Sequence, residues 1–123
     1  MGLDNYFRYP AAPGETAPVI GKLDVALCGG LFSGNGEDGS FRGKVYYDTL
    51  KEICGVSIYN EVSPSKCVEM ADALKEYVAG QVGAVDDKIA YIGQYGITFR
   101  EVKDLEKVFR AFGEQGYYLH AWY

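Results

Sequence analysis

Apolar residues recur at helical spacing in two stretches near the middle of the chain. In the stretch from about Lys44–Cys54 the spacing is i, i+4, i+7, which places these side chains on one face of a helix. A second helix is predicted to start at Ser63, a residue type favoured at N-caps, because Pro64 suits the first turn and Gly80 ends the pattern. The inward-facing residues of these two helices are Tyr46, Leu50, Ile53, Cys67, Ala71, Leu74 and Val78.

A third helix is predicted from about Phe99 to Glu114. Thr98 and Glu101 have the spacing of a capping box, which marks the start of this helix. Its predicted inward face carries Val102, Leu105, Phe109 and Phe112. Its other face is a run of mixed charge, which we expect to be solvated, and consists of Lys103, Asp104, Lys107, Arg110 and Glu114.

The remaining segments predict short strands and an irregular start. Residues 1–18 contain three prolines after a group of aromatic residues and are read as an extended N-terminal arm. Candidate strands lie at Val19–Leu27, Val56–Tyr59, Lys88–Ile92 and Tyr117–Tyr123. Three helices with short strands favour an α+β fold, in which about three helices pack on a short, mostly antiparallel sheet. We expect one domain over residues 1–123.

The composition of the 123-residue chain indicates which classes of binding partner to expect. Aromatic residues make up 15% of the chain, including 11 tyrosines, more than a core of this size would take. We therefore expect some of them at a ligand site or a subunit interface, the latter predicting a homo-oligomer. The formal net charge of −5 argues against binding to a nucleic acid polymer, which needs a basic face.

Neither a metal nor another cofactor is expected from the sequence. The three cysteines are odd in number and form no CxxC motif, so they read as reduced thiols of a cytoplasmic protein. His120 is the only histidine, which leaves few zinc ligands. No secretion signal is evident, and no apolar stretch approaches the roughly 20 residues of a membrane span.

The segment LCGGLFSGNGEDGSFRGKVYYD holds six glycines between Gly29 and Gly43. A G-x-G-x-x-G pattern ends at Gly39, but two acidic residues inside the loop would repel a pyrophosphate. A phosphate loop ending at Lys44 is one residue short, and the spacing of a calcium-binding EF-hand is absent. An ordered hairpin turning at Asn35–Gly36 is the main structural alternative.

The exit of this segment, where a helix is predicted to begin, favours an anion site. Arg42 and Lys44 would hold a phosphate beside the free N–H groups of the first helical turn. Glycines would let the anion approach the backbone, aromatic rings would stack on a base, and hydroxyls would add donors. The predicted ligand-binding residues are Gly29, Gly30, Phe32, Ser33, Ser40, Phe41, Arg42, Gly43, Lys44 and Tyr46. For Arg42 the alternative is a structural salt bridge to Glu37, Asp38 or Asp48.

An enzyme would need a recognisable catalytic side chain, and the sequence offers few candidates. His120, in a terminal aromatic strand, is more often a packed or hydrogen-bonded residue than a base. Cys28 could be a nucleophile, although cysteine is commonly a small buried hydrophobe. Asp4 could be a site carboxylate, with local capping as its alternative. No pair of acids is fixed at a useful separation, so no catalytic residue is assigned.

Five strings, GLDNYF, LCGGLFSGNG, SFRGKVY, GVSIY and GYYLHAWY, resemble a group of small uncharacterised proteins encoded in bacteriophage genomes. The resemblance spans most of the chain and lies in short motifs rich in glycine and aromatic residues. It implies an accessory phage protein in the cytoplasm of an infected bacterium. By analogy of size and context, some such proteins sequester the nucleotide messengers of bacterial defence.

The sequence favours non-enzymatic binding of a phosphorylated small molecule. The expected ligand is a nucleotide, and a cyclic signalling nucleotide of anti-phage defence is one form it could take. The alternatives are an inhibitor that binds a host defence protein, using the aromatic surplus as its contact surface, and a small nucleotide-processing enzyme.

Overall fold

A computed structural model describes residues 3–21, 23–28, 39–83, 85–92 and 96–123. The described residues form three helices and five strands, which confirms the α+β expectation. The helices are α1 (Gly43–Cys54), α2 (Pro64–Ala79) and α3 (Phe99–Glu114). The strands are β1 (Asp4–Arg8), β2 (Ser40–Phe41), β3 (Ile89–Ile92), β4 (Gly96–Thr98) and β5 (Tyr118–Trp122).

Local signals in the sequence set the helix ends. The Ser63 hydroxyl accepts the N–H of Lys66 at the start of α2, and Thr98 and Glu101 form the predicted capping box at the start of α3. Gly55, at a positive φ of 70°, closes α1 by donating its N–H to the Lys51 carbonyl. The three predicted helices are therefore confirmed close to their predicted ends.

The main sheet has the order β2-β1-β5 and is antiparallel throughout. Its central strand is β1, which lies within the segment that the sequence indicated as an extended arm. The extended backbone of Asp4–Arg8 was predicted, but its pairing on both sides was not, because the partners are remote in sequence: Asn5 lies opposite Phe41 on one side and Ala121 on the other. A separate pair, β3 and β4, forms a two-stranded antiparallel sheet.

Of the predicted strands, Lys88–Ile92 and Tyr117–Tyr123 are confirmed as β3 and β5. Val56–Tyr59 is not a strand, because the chain turns at Ile58 and Tyr59. The described residues of Val19–Leu27 also form no strand.

The helices bury their apolar faces against one side of the main sheet. Phe7 of β1 lies nearly parallel to Phe112 of α3, with ring centroids 4.4 Å apart, and meets Phe109 edge-on. Phe41 of β2 and Leu119 of β5 are buried on the same side. Burial alternates along β1, so that Asn5 and Phe7 point into the core while Asp4, Tyr6 and Arg8 point away from it.

Asp104 corrects the expectation that the charged face of α3 is fully solvated. Its carboxylate is completely buried and accepts the N–H of Ala26 at 3.0 Å. It also pairs with Arg100 at 3.2 Å and lies 3.9 Å from the Lys107 ammonium. Because these groups compensate a buried charge, Asp104 anchors the segment before the glycine-rich stretch to α3.

Candidate functional site

The described residues on either side of positions 29–38 are fixed by backbone hydrogen bonds. The Cys28 carbonyl accepts the N–H of Arg42 at 2.8 Å, and the Gly39 carbonyl accepts the N–H of Phe7 at 2.8 Å. A β-carbon at Gly39 would collide with the Phe112 ring, so a larger residue does not fit there. Four predicted site residues and the proposed turn lie outside the described residues: Gly29, Gly30, Phe32, Ser33 and Asn35–Gly36.

Tyr46, which was predicted to contact a ligand, is buried, and its hydroxyl binds the backbone of Cys28 at the start of the glycine-rich segment. Its hydroxyl accepts the Cys28 N–H at 2.8 Å and donates to the Glu101 carboxylate at 2.7 Å. Burial is the main cause that raises the pKa of the Tyr46 phenol, and the hydrogen bond to Glu101 raises it further. Tyr46 therefore remains a protonated donor with both of its hydroxyl contacts inside the protein.

Two further predicted residues are also occupied by internal contacts. Phe41 is buried among the core rings, and its aromatic neighbours include Phe109 and Tyr46. Beside Gly43, a β-carbon would collide with the side-chain oxygen of Asn5. The close approach that this glycine permits is thus filled by the protein's own amide.

Asn5 is a buried polar link between the sheet, α1 and the turn after α1. Its side-chain nitrogen donates to the carbonyls of Ile58, at 2.8 Å, and His120, at 3.1 Å. Among the described residues its oxygen accepts no hydrogen bond, and it faces Gly43 at the helix start. The next N–H of the helix, that of Lys44, donates to the Leu3 carbonyl at 3.0 Å. Of the helical N–H groups predicted to receive an anion, those of Lys44 and Val45 are therefore engaged within the fold.

Three predicted residues keep polar side chains at the surface. Arg42 is 42% exposed, and its guanidinium lies 3.4 Å from the carboxylate of Asp4, which is 53% exposed. This partner differs from those predicted, and Asp4 lies in β1 instead of capping a helix. Lys44 is exposed, and no described residue forms an ion pair with it; Ser40 lies half-buried opposite Tyr6.

The outward side of the main sheet, which we call the outer face, brings Arg42 together with aromatic residues. The strand register aligns its side chains in rows. The first row holds Arg42, Asp4 and Trp122; the second holds Ser40, Tyr6 and His120; the third holds Arg8 and Tyr118.

The aromatic residues of the outer face contact one another and remain accessible. The Tyr6 and His120 rings lie 5.4 Å apart with planes 19° from parallel, and Tyr118 lies 6.5 Å from His120. Trp122 is 75% exposed. The His120 ring nitrogen Nδ1 lies 3.4 Å from the Glu61 carboxylate at the edge of the sheet. This arrangement was not predicted from the sequence because Tyr6 was assigned to an extended arm, although the alternation of buried and exposed positions in β1 was a signal that could have indicated it.

No family model, curated protein or solved structure matches this chain. Its functional interpretation therefore depends on the geometry of its own residues.

The remaining chemically reactive groups are mostly enclosed. Burial raises the pKa of the Cys67 thiol to about 12 and that of the Cys54 thiol to about 12, so both stay protonated near neutral pH. Cys28 is exposed. Within the described ranges there is no cluster of three or more metal-ligating side chains, and no helix long and apolar enough to cross a membrane.

Proposed function

We propose that the protein binds a phosphorylated small molecule, specifically a nucleotide, without converting it, and that Arg42 holds the phosphate. The observation that carries most weight is the hydrogen bond from the Arg42 N–H to the Cys28 carbonyl. It sets Arg42 directly beside Cys28, where the glycine-rich part of the sequence begins.

The Arg42 side chain is suited to exchange its present partner for an anion. Its pair with Asp4 is long and solvent-exposed, and such pairs contribute only about 0–1 kcal/mol. A guanidinium can form two parallel, charge-assisted hydrogen bonds with a phosphate. Lys44, two residues further along α1, would add a second positive charge. The phosphate would thus be held mainly by side chains, because the N–H groups of Lys44 and Val45 are engaged.

Binding without turnover is favoured over catalysis because the buried thiols are protonated and the buried tyrosine hydroxyl is already hydrogen-bonded. Two of the three thiols stay protonated near neutral pH, and the Tyr46 hydroxyl is committed to Cys28 and Glu101. Combined with the resemblance to phage proteins, this supports sequestration in the cytoplasm of an infected bacterium. A cyclic signalling nucleotide of bacterial defence fits that role.

A protein-binding role is the second candidate, favoured by a separate aromatic cluster. Tyr59 meets both Tyr47 and Tyr123 edge-on, each at 5.1 Å, and both Tyr59 and Tyr123 are exposed. Exposed tyrosines of this kind are typical of contact surfaces. The cluster could bind a host protein or join copies of this chain; light scattering at micromolar concentration tests self-association, and a mass near 13.5 kDa would contradict it.

Calorimetry with linear and cyclic nucleotides tests the nucleotide proposal. Arg42→Ala should weaken binding about 10- to 100-fold, since a charge-assisted contact contributes roughly 1.5–3 kcal/mol. Arg42→Lys should recover only part of the affinity, because an ammonium lacks the planar fork. Lys44→Ala should cost less and respond more to salt.

The matched control is Arg110→Ala, which removes an ion-paired arginine from α3, where it contacts Glu106 and Asp72. It should bind as the wild type does. The proposal fails if no nucleotide binds, or if folded Arg42→Ala retains wild-type affinity. Conversion of the added nucleotide to a product would instead establish the enzyme alternative.

A further inference from the structure

We propose that the nucleobase of the ligand stacks on the outer face of the sheet, against Trp122 and the Tyr6–His120 pair. This inference rests on the proposed function, and it replaces two of the three base-stacking residues predicted from the sequence, the third, Phe32, lying outside the described residues. Of those residues, Phe41 and Tyr46 are enclosed in the core, so neither ring can receive a base.

The register of the sheet connects this aromatic surface to the phosphate-binding residue. Arg42 and Trp122 lie in the same row, on either side of Asp4. Neighbouring strands are about 4.8 Å apart, so the backbones of Arg42 and Trp122 are separated by roughly 10 Å. Tyr6, in the next row, lies diagonal to both residues. A nucleotide with its phosphate at Arg42 can therefore direct its base across the strands onto the aromatic rings.

The chemistry of the outer face fits a planar, anionic ligand. A strand that ends in a highly exposed indole beside two nearly parallel rings offers aromatic surface that lies outside the core formed by the described residues. The face also carries two arginines, Arg42 and Arg8, and one aspartate, Asp4. No described residue forms an ion pair with Arg8. Glu61 adds a second carboxylate at the edge of this face, beside His120, so the positive charge that a phosphate requires is confined to the two arginines.

The ring of His120 is oriented for this role. Its contact with Glu61 fixes one edge of the imidazole, while the Tyr6 ring supports its plane. The backbone beneath it is held by Asn5, which donates to the His120 carbonyl. An aromatic surface that is already ordered loses less conformational freedom when a base stacks on it.

Trp122 makes the test direct, because it is the only tryptophan in the chain. Its fluorescence is followed while AMP, GMP, CMP, UMP and cyclic dinucleotides are added, with ribose 5-phosphate as the probe that has the phosphate but no base. We expect nucleotides to quench or shift the emission and to bind about 5- to 100-fold more tightly than ribose 5-phosphate, the range expected for one stacked base.

Variants separate stacking from phosphate binding. By calorimetry, which does not depend on Trp122 emission, Trp122→Ala and Tyr6→Ala should each reduce nucleotide affinity while leaving the affinity for ribose 5-phosphate unchanged; Trp122→Phe should retain most of the nucleotide affinity. Tyr59→Ala removes an exposed ring from the separate tyrosine cluster and should change neither affinity.

The possible failures are distinguishable. If ribose 5-phosphate binds as tightly as the nucleotides, in an Arg42-dependent manner and without a change in emission, the stacking inference is wrong while phosphate binding stands. The same conclusion follows if folded Trp122→Ala and Tyr6→Ala bind nucleotides as the wild type does. If neither nucleotides nor ribose 5-phosphate bind, both the proposed function and this inference are overturned.

Discussion

The two faces of the main sheet are built from alternate residues of the same strands, yet they obey different constraints. On the inner face Phe7 and Leu119 are fully buried and contact the helices. On the outer face their neighbours, Tyr6 and His120, contact each other while Trp122 stays largely exposed. Packing accounts for the inner residues but gives no reason for large aromatic side chains outside, so the outer face is where a binding role explains most.

The difference between the two faces is tested most directly by truncating adjacent residues of β1, one on each face. Phe7→Ala should reduce the free energy of unfolding by about 3–5 kcal/mol, because it opens a cavity among Phe41, Phe109 and Phe112. Tyr6→Ala should cost about 1 kcal/mol or less, because its ring is packed mainly on another outer-face residue. Urea unfolding measures both; if Phe7→Ala does not fold, Phe7→Leu, at a smaller cost, replaces it. Equal losses for the two truncations would show that the faces do not differ as described.

The next largest loss of stability is expected from disturbing the buried Asn5 amide on the inner face. Gly43→Ala should cost about 2–3 kcal/mol, because its β-carbon displaces the Asn5 amide and leaves the Ile58 and His120 carbonyls without their donor. Thermal and urea unfolding measure the loss.

A double-mutant cycle sharpens this result. In an Asn5→Ala background the added methyl group meets no amide, so Gly43→Ala should cost at least 1 kcal/mol less than it does in the wild type. Additive costs would mean that the two residues are not coupled through this contact. Gly80→Ala, at the end of α2, is the control, because a β-carbon there meets only atoms at ordinary contact distances.

Alkaline pH probes the inward-facing thiols. Burial raises the pKa of Cys67 and of Cys54 to about 12 from an ordinary value of 9.0, so above pH 9 the unfolded chain loses protons that the native chain keeps. Stability should therefore be unaffected by these thiols below pH 9 and should fall as the pH rises towards 12. Over this range each thiol lowers the free energy of unfolding by up to about 1.4 kcal/mol per pH unit.

Urea unfolding at pH 8 and pH 10 should differ by about 2–3 kcal/mol through these two groups. Cys67→Ala should reduce the difference, whereas Cys28→Ala, which changes an exposed residue, should not. An undiminished slope in Cys67→Ala would assign the alkaline loss to other groups.

The smallest effect is expected for the ion pair of the outer face. Asp4→Asn should change the free energy of unfolding by less than about 1 kcal/mol, because both partners are exposed and screened by salt. The same change should strengthen phosphate binding, since it frees Arg42 from its carboxylate. A stability loss similar to that of Gly43→Ala would mean that the pair is structural and would weaken the case for ligand exchange.

The helices were predictable because their signals are local. Ser63 with Pro64, and Thr98 with Glu101, mark helix starts within a few residues, and the apolar spacing identifies the buried faces. Even there, Asp104 was misplaced, since its burial depends on the remote N–H of Ala26. A carboxylate in a charged run looks solvated until its distant partners are known.

The sheet and the site were harder to predict because their contacts join distant parts of the chain. No local sequence signal near Asp4–Arg8 indicates that these residues pair with Tyr118–Trp122. In addition, the polar Asn5 at an inward position weakens the alternation of apolar and polar residues in β1. Arg42 and Lys44 were proposed as ligand-binding residues from their charge beside a helix start, and both lie at the surface. The burial of Phe41 and the filling of the space beside Gly43 required knowledge of what packs against them.

The pairing of β1 with β5 also sets the order in which the fold can assemble. The hydrogen bond from Asn5 to the His120 carbonyl joins residues 115 positions apart, whereas the helical capping contacts span only three. During synthesis on a ribosome, β1 emerges early and has no strand at its β5 side until almost the whole segment described here has been made. Closing so long a loop makes this pairing a late and slow step. Until then the apolar side of β1 needs protection, and a nascent chain stalled before Tyr118 should be the form most open to aggregation and to chaperones.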